Sequence, residues 1–136
     1  MMKNAILFLS VSILSVSPFE ATMQDADTIT VDRMAFCTEV VDREPQGEAT
    51  EFDTTVETVY CFTALNGPEG AVVHAWYHAD SLRFQITLDK GKAGRWRTWS
   101  SKRMSAAWQG EWRVDVLDEE GGVLKSATFI YGNVEN

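Results

Sequence analysis

Histidine and cysteine are scarce in this chain: there are two of each in 136 residues, and three prolines. With no third histidine, and no C-x-x-C or histidine close to either cysteine, the ligand number a zinc site needs is missing, and no metal or other cofactor is expected. No G-x-S-x-G nucleophile elbow surrounds Ser100, Ser101 or any other serine, so nucleophilic hydrolysis has no constellation to run on. The adjacent pair Glu119 and Glu120 sits in a turn, where solvation accounts for it better than glycosidase chemistry. The chain reads as no enzyme. Helical periodicity is missing from every window, which points away from helix-containing folds.

Cations are scarce too, and unevenly placed. The formal net charge is −8. From Ser81 to Gly110 there are seven cations against Asp89 alone, a local +6 that leaves −14 for the rest. An acidic chain with one basic stretch is not a general nucleic-acid binder.

Long apolar runs are confined to the start. Lys3 precedes an apolar run from Ala5 to Val16, broken by Ser10, Ser12 and Ser15 and followed by Pro18. This is the profile of a signal peptide, placed at residues 1–21, with cleavage expected between Ser15 and Ala26. As a helix, Ala5 to Phe19 would reach about 22 Å, short of the roughly 30 Å of a hydrocarbon core. The mature protein is therefore expected in the periplasm or outside the cell, without a stable membrane span. In that setting Cys37 and Cys61 are expected to form a disulfide, worth about 3 kcal/mol in the chain-entropy model.

What is abundant is strand alternation. Residues 22–32 read as a loose segment, and residues 132–136 as a tail. Between them, in 33–131, seven strands are predicted: Arg33 to Val41, Val56 to Leu65, Val72 to His78, Leu82 to Leu88, Gly94 to Lys102, Trp112 to Val116 and Val123 to Tyr131. Asp42 to Thr55 reads as a long acidic connection. Leu82, Phe84, Ile86 and Leu88 alternate most cleanly and are expected in the core. If the first two strands are antiparallel neighbours, parity allows Cys37 and Cys61 to share a face. Seven short strands with turn signals between them predict an all-β, antiparallel, immunoglobulin-like β-sandwich.

The stretch Gly94-Arg95-Trp96-Arg97-Thr98-Trp99-Ser100-Ser101-Lys102 is the richest in contact chemistry. A strand there puts Arg95, Arg97 and Trp99 on one face and Trp96 on the other. Arg95, Arg97, Trp99 and Lys102 are the candidate partner-binding residues, because arginine beside an exposed aromatic suits carboxylate, phosphate or sugar surfaces. The competing reading is a cross-strand ladder with Glu111, Asp115 or Asp118. His74 and His78 are further candidates. On a strand they lie roughly 13 Å apart, too far for one ion, and Trp76 between them shares their face.

Asp42-Arg43-Glu44-Pro45, Cys61-Phe62-Thr63, His74-Ala75-Trp76-Tyr77-His78, Gly94 through Lys102 and Gly110-Glu111-Trp112-Arg113-Val114-Asp115-Val116 occur in this order. Together they resemble the bacterial domain-of-unknown-function family 2914, from about Arg33 to Tyr131. The resemblance implies an exported or envelope-associated β domain and carries no catalytic residue. The expectation is a non-catalytic protein-interaction module of the envelope. The alternative is binding of a glycan or anionic cell-wall polymer on the cationic-aromatic face. An exposed aromatic platform would favour the glycan; an apolar patch or long unpaired edge strand would favour a protein partner.

Overall fold

The computed structural model describes residues 28–132. The predicted signal peptide, most of the predicted loose segment and residues 133–136 lie outside the described residues. Among the described residues no helix is long and apolar enough to cross a membrane.

The described chain is all-β. Ten strands follow in order: β1 (Thr30–Cys37), β2 (Glu39–Val41), β3 (Glu44–Gln46), β4 (Glu51–Phe52), β5 (Thr58–Asn66), β6 (Gly70–His78), β7 (Ser81–Lys90), β8 (Trp96–Arg103), β9 (Gly110–Leu117) and β10 (Val123–Tyr131). All seven predicted strands are present, as β1 and β5 to β10. Two short ones, β3 and β4, were not foreseen, and β2 takes up the end of the first predicted strand. β2 and β3 form a hairpin and β4 pairs in parallel with β10, so the expected long connection holds two short strands, β3 and β4. The first predicted strand breaks at Thr38, and β1 starts at Thr30, inside the segment expected to be loose.

Two sheets face each other. One has the order β1-β5-β8, the other β4-β10-β9-β6-β7. Alternation buries Phe36 and Cys61 from the first, and Trp76, Trp112, Val114, Phe129 and Tyr131 from the second, in one apolar cluster. A smaller cluster of Leu65, Val72 and Val116 continues the core toward the other end, with Trp96 packed against it. Trp96 is thus inward, as its parity predicts. Aromatic rings meet edge-on across this core, Trp76 on Phe129 at 6.1 Å and 79°, an arrangement favoured by ring quadrupoles.

The unequal width of the sheets corrects one expectation. β7 is the outermost strand of the five-stranded sheet, facing only three strands opposite. Its row Phe84, Ile86 and Leu88 lies beside Trp76, His74 and Val72 of β6. Phe84 and Leu88 reach the core clusters, but Ile86 is 37% exposed. A register shift between Leu82 and Phe84 sets Leu82 opposite Tyr77, and Leu82 is 48% exposed. The row overhangs the smaller sheet instead of being covered by it.

The cysteine expectation also needs correction. β1 and β5 are antiparallel neighbours, but Phe36 lies opposite Cys61, and Cys37 opposite Tyr60. Directly opposed residues share a face, so the two cysteines point to opposite sides of their sheet. Cys61 enters the core. Cys37 lies under the β2–β3 hairpin, its thiol against the Glu39 and Gln46 backbone. Both are buried free thiols, and burial, the leading cause in each case, raises their pKa values. A disulfide would require a one-residue slip of register, and that would turn Phe36 out of the core.

Candidate interaction surfaces

The six predicted site residues separate into three places. The first is the core. His74 lies on the inner face of β6 and is fully buried. Its Nε2 is 3.3 Å from Thr63 Oγ1 and its Nδ1 2.7 Å from Ser100 Oγ. Thr63 donates its own proton to the Thr98 carbonyl at 2.9 Å, so Thr63 accepts from His74 Nε2–H. Nδ1 must then accept from Ser100, which in turn accepts the Trp76 indole N–H at 3.1 Å. Every polar atom in this chain of bonds between the sheets is satisfied, and each hydrogen has one direction to take. Burial pushes the His74 pKa down to about 4. The neutral imidazole is a strut, not a ligand surface.

The second place is the end of β6. His78 Nε2 lies 2.9 Å from the Gln109 carbonyl. A carbonyl only accepts, so Nε2 carries a proton there; the buried Nδ1 has no hydrogen-bond partner among the described residues. The imidazole packs in a three-ring cluster with Trp108 (5.9 Å, 6°) and Trp112 (4.8 Å, 35°), whose own rings are 6.4 Å apart. Lys102 reaches the same stack, its Nζ 5.8 Å from the Trp108 ring and 5.6 Å from that of Trp112. The guanidinium of Arg83 covers Trp108 at 4.2 Å. Lys102 therefore belongs to the inner edge of β8, away from Arg95 and Arg97, as its even position in the strand dictates. The Trp108 contribution was not read from the sequence, where residues 102–109 show no pattern.

The third place is the outer face of the three-stranded sheet. Arg33 and Arg97 lie on either side of Ala64 on β5, one from each neighbouring strand. Glu44, at the start of β3, pairs with both, and Arg33 also bonds Glu48 at 2.8 Å. The carboxylate that meets the predicted cations therefore comes from the hairpin, not from Glu111, Asp115 or Asp118. A groove of about 550 Å³ opens here, lined by Arg33, Arg43, Arg95 and Arg97 together with Asp32 and Glu44. Trp99 is not part of its lining. That ring stacks on Phe62 at 6.3 Å and 14°, covering the sheet beside the groove.

Lys90, a residue no motif singled out, supports the rim that carries Arg95. It is buried, and its ammonium donates to three carbonyls: Gly67 at 2.7 Å, Gly91 at 3.1 Å and Ala93 at 2.7 Å. It thereby ties the β5–β6 turn to the β7–β8 turn. Gly91 is needed there, because a Cβ would stand 2.6 Å from the Trp96 ring.

One further surface is backbone. Among the described strands β7 pairs with β6 alone, leaving its other edge free along ten residues. Between the register shift and Lys90 the sequence is Phe84-Gln85-Ile86-Thr87-Leu88-Asp89, with one charge.

The strands from β6 onward, with this edge and the His78 stack, form the part of the chain that known proteins resemble. Residues 69–130 match the family described as Protein of unknown function (DUF2914). Over these residues the resemblance to DUF2914 is borne out. The match takes in the His74-to-His78, Gly94-to-Lys102 and Gly110-to-Val116 segments of the resemblance. Asp42-to-Pro45 and Cys61-to-Thr63 fall outside it. No curated protein matches the chain.

Proposed function

We propose that the chain is an exported, non-catalytic protein-interaction module that receives a partner strand on β7. The observation that carries this reading is the free edge of β7: ten residues long, with Leu82 and Ile86 48% and 37% exposed and one charge between Phe84 and Asp89. A strand added there would satisfy a row of backbone donors and acceptors. It would also cover the apolar overhang that the narrower sheet leaves open. A non-catalytic role is supported by the His74–Ser100 pair, whose hydrogen bonds are all used inside the core. The Lys3 start and the apolar run after it support a periplasmic or secreted address, with an envelope protein as partner. An immunoglobulin-like assignment is supported by strand order: β1-β5-β8 against β10-β9-β6-β7 follows the A-B-E against G-F-C-C′ pattern of such sandwiches.

Photocrosslinkers placed at Gln85 and Thr87 in the producing cell test this reading, with one at Ser126 on β10 as control. Discrete protein adducts are expected from the β7 positions, and Thr87→Pro should abolish those formed at Gln85 while leaving the thermal melt cooperative. Equal labelling from Ser126, or no protein adduct from β7, would refute it.

A further inference from the structure

We infer that the arginine groove on the three-stranded sheet is a carboxylate-binding site for an acidic peptide segment, and that Glu44 is its built-in competitor. The site stands apart from the β7 edge, since the two lie on different sheets. Its four arginines face Asp32 and Glu44 in the lining and Glu48 on Arg33, a local +1 in a chain of net −8. Arg43 and Arg95 make no ion pair among the described residues, whereas Arg33 and Arg97 share the two oxygens of Glu44. All four cations are arginine, whose planar fork matches a carboxylate and carries its charge with weak hydration.

Glu44 shows the ligand chemistry directly. It is a peptide carboxylate presented by an extended strand, and it spans the Arg33–Arg97 gap with one oxygen on each side. The side chains of these pairs are 40% to 49% exposed, so solvent screens them and an incoming carboxylate can replace Glu44 at little cost. The hairpin that carries Glu44 turns through Asp42 and Arg43, both in the left-handed region (φ 53° and 64°), a conformation disfavoured for residues other than glycine. A segment with a second acidic residue would also reach Arg43 and Arg95, the groove's unspent charge.

The test is titration of the full chain with tetraglutamate capped at both ends, against inorganic phosphate and polygalacturonate. Tetraglutamate is expected to bind and to weaken with added salt. The double variant Arg43→Gln/Arg95→Gln should bind about tenfold more weakly with an unchanged thermal melt, since neither side chain holds an ion pair. Glu44→Gln should bind up to about fivefold more tightly, because the competitor is gone. Affinity for tetraglutamate that is unchanged or lower in Glu44→Gln overturns the proposal. So does tighter binding of phosphate or polygalacturonate than of the peptide, or the absence of any peptide binding.

Discussion

His74 and His78 are four residues apart on the same face of β6, yet their surroundings are opposite. At His74 the two sheets are clamped together: Thr63, its own proton committed to the Thr98 carbonyl, accepts from Nε2–H, and Ser100 donates to Nδ1. At His78 the ring is held by the Trp108 and Trp112 rings, and Nδ1 has no hydrogen-bond partner among the described residues. The difference teaches how polarity is tolerated in this sandwich. In the middle, where water is excluded, a polar group survives through complete pairing. At the end, aromatic area substitutes for one missing bond.

The sharpest way to break this contrast is to remove a tryptophan from each region. Trp76→Ala should cost about 3 to 5 kcal/mol, as large-to-small core substitutions do. Trp108, 37% exposed and capped by Arg83, should cost about 1 to 2 kcal/mol on truncation. Urea unfolding of both variants measures the gap; equal losses would mean that the end of the strand is as tightly built as its middle. Ser100→Ala comes next. It strands the Trp76 indole N–H and the lone pair of His74 Nδ1 together, so a loss of about 2 to 4 kcal/mol is expected. A loss below about 0.5 kcal/mol would show that the network is not what closes the seam.

Acid sharpens the same comparison without mutation. The folded pKa of His74 lies at about 4, against an ordinary 6.5. The unfolded chain therefore binds the proton first, and stability falls as pH drops from about 6.5 toward 4. Linkage puts the His74 share of this loss at about 2 kcal/mol by pH 5 and about 3 kcal/mol by pH 4. The loss has a structural counterpart: a proton on Nδ1 would point at Ser100 Oγ and reverse the one direction in which those hydrogen bonds run. Unfolding free energies of wild type and His74→Gln, followed from pH 7 to pH 5, should converge by this amount. Parallel curves would remove His74 from the account.

The strands were legible because side-chain alternation reports two faces directly, and β10 runs from Val123 to Tyr131 as the alternation indicates. What alternation does not report is what lies across from a face. Leu82 and Ile86 belong to the cleanest apolar row in the sequence, yet the narrow opposing sheet leaves Ile86 partly uncovered, and the register shift turns Leu82 to the face of Tyr77. Cys37 and Cys61 have parities that allow a meeting, but parity does not choose between registers one residue apart. Arg95 and Arg97 are together, as their spacing implied; Glu44, which defines their groove, arrives from a hairpin some fifty residues earlier in the chain. The burial of Lys90 depends on three carbonyls in two turns, a tertiary arrangement with no local signature.

The smallest effect lies at the turn that follows His78. Ala79 and Asp80 both sit in the left-handed region, φ 51° and 65°, which makes the β6–β7 connection a primed two-residue hairpin between His78 and Ser81. Aspartate tolerates that conformation, whereas the Cβ of alanine crowds the following carbonyl, with no side-chain polar group to compensate. Asparagine at this first turn position removes the mismatch without glycine's entropic cost in the unfolded chain. Ala79→Asn should therefore raise stability by about 0.5 kcal/mol. The gain should be local, because Ala79 is exposed and far from the clamped seam. Amide exchange separates this from a general stiffening: protection should rise at His78, Ser81 and Leu82 while the Ser100-to-His74 region keeps its rates. A uniform rise along β6 would mean that its two regions open as one unit, and the contrast between the two histidines would then be one of contacts and not of stability.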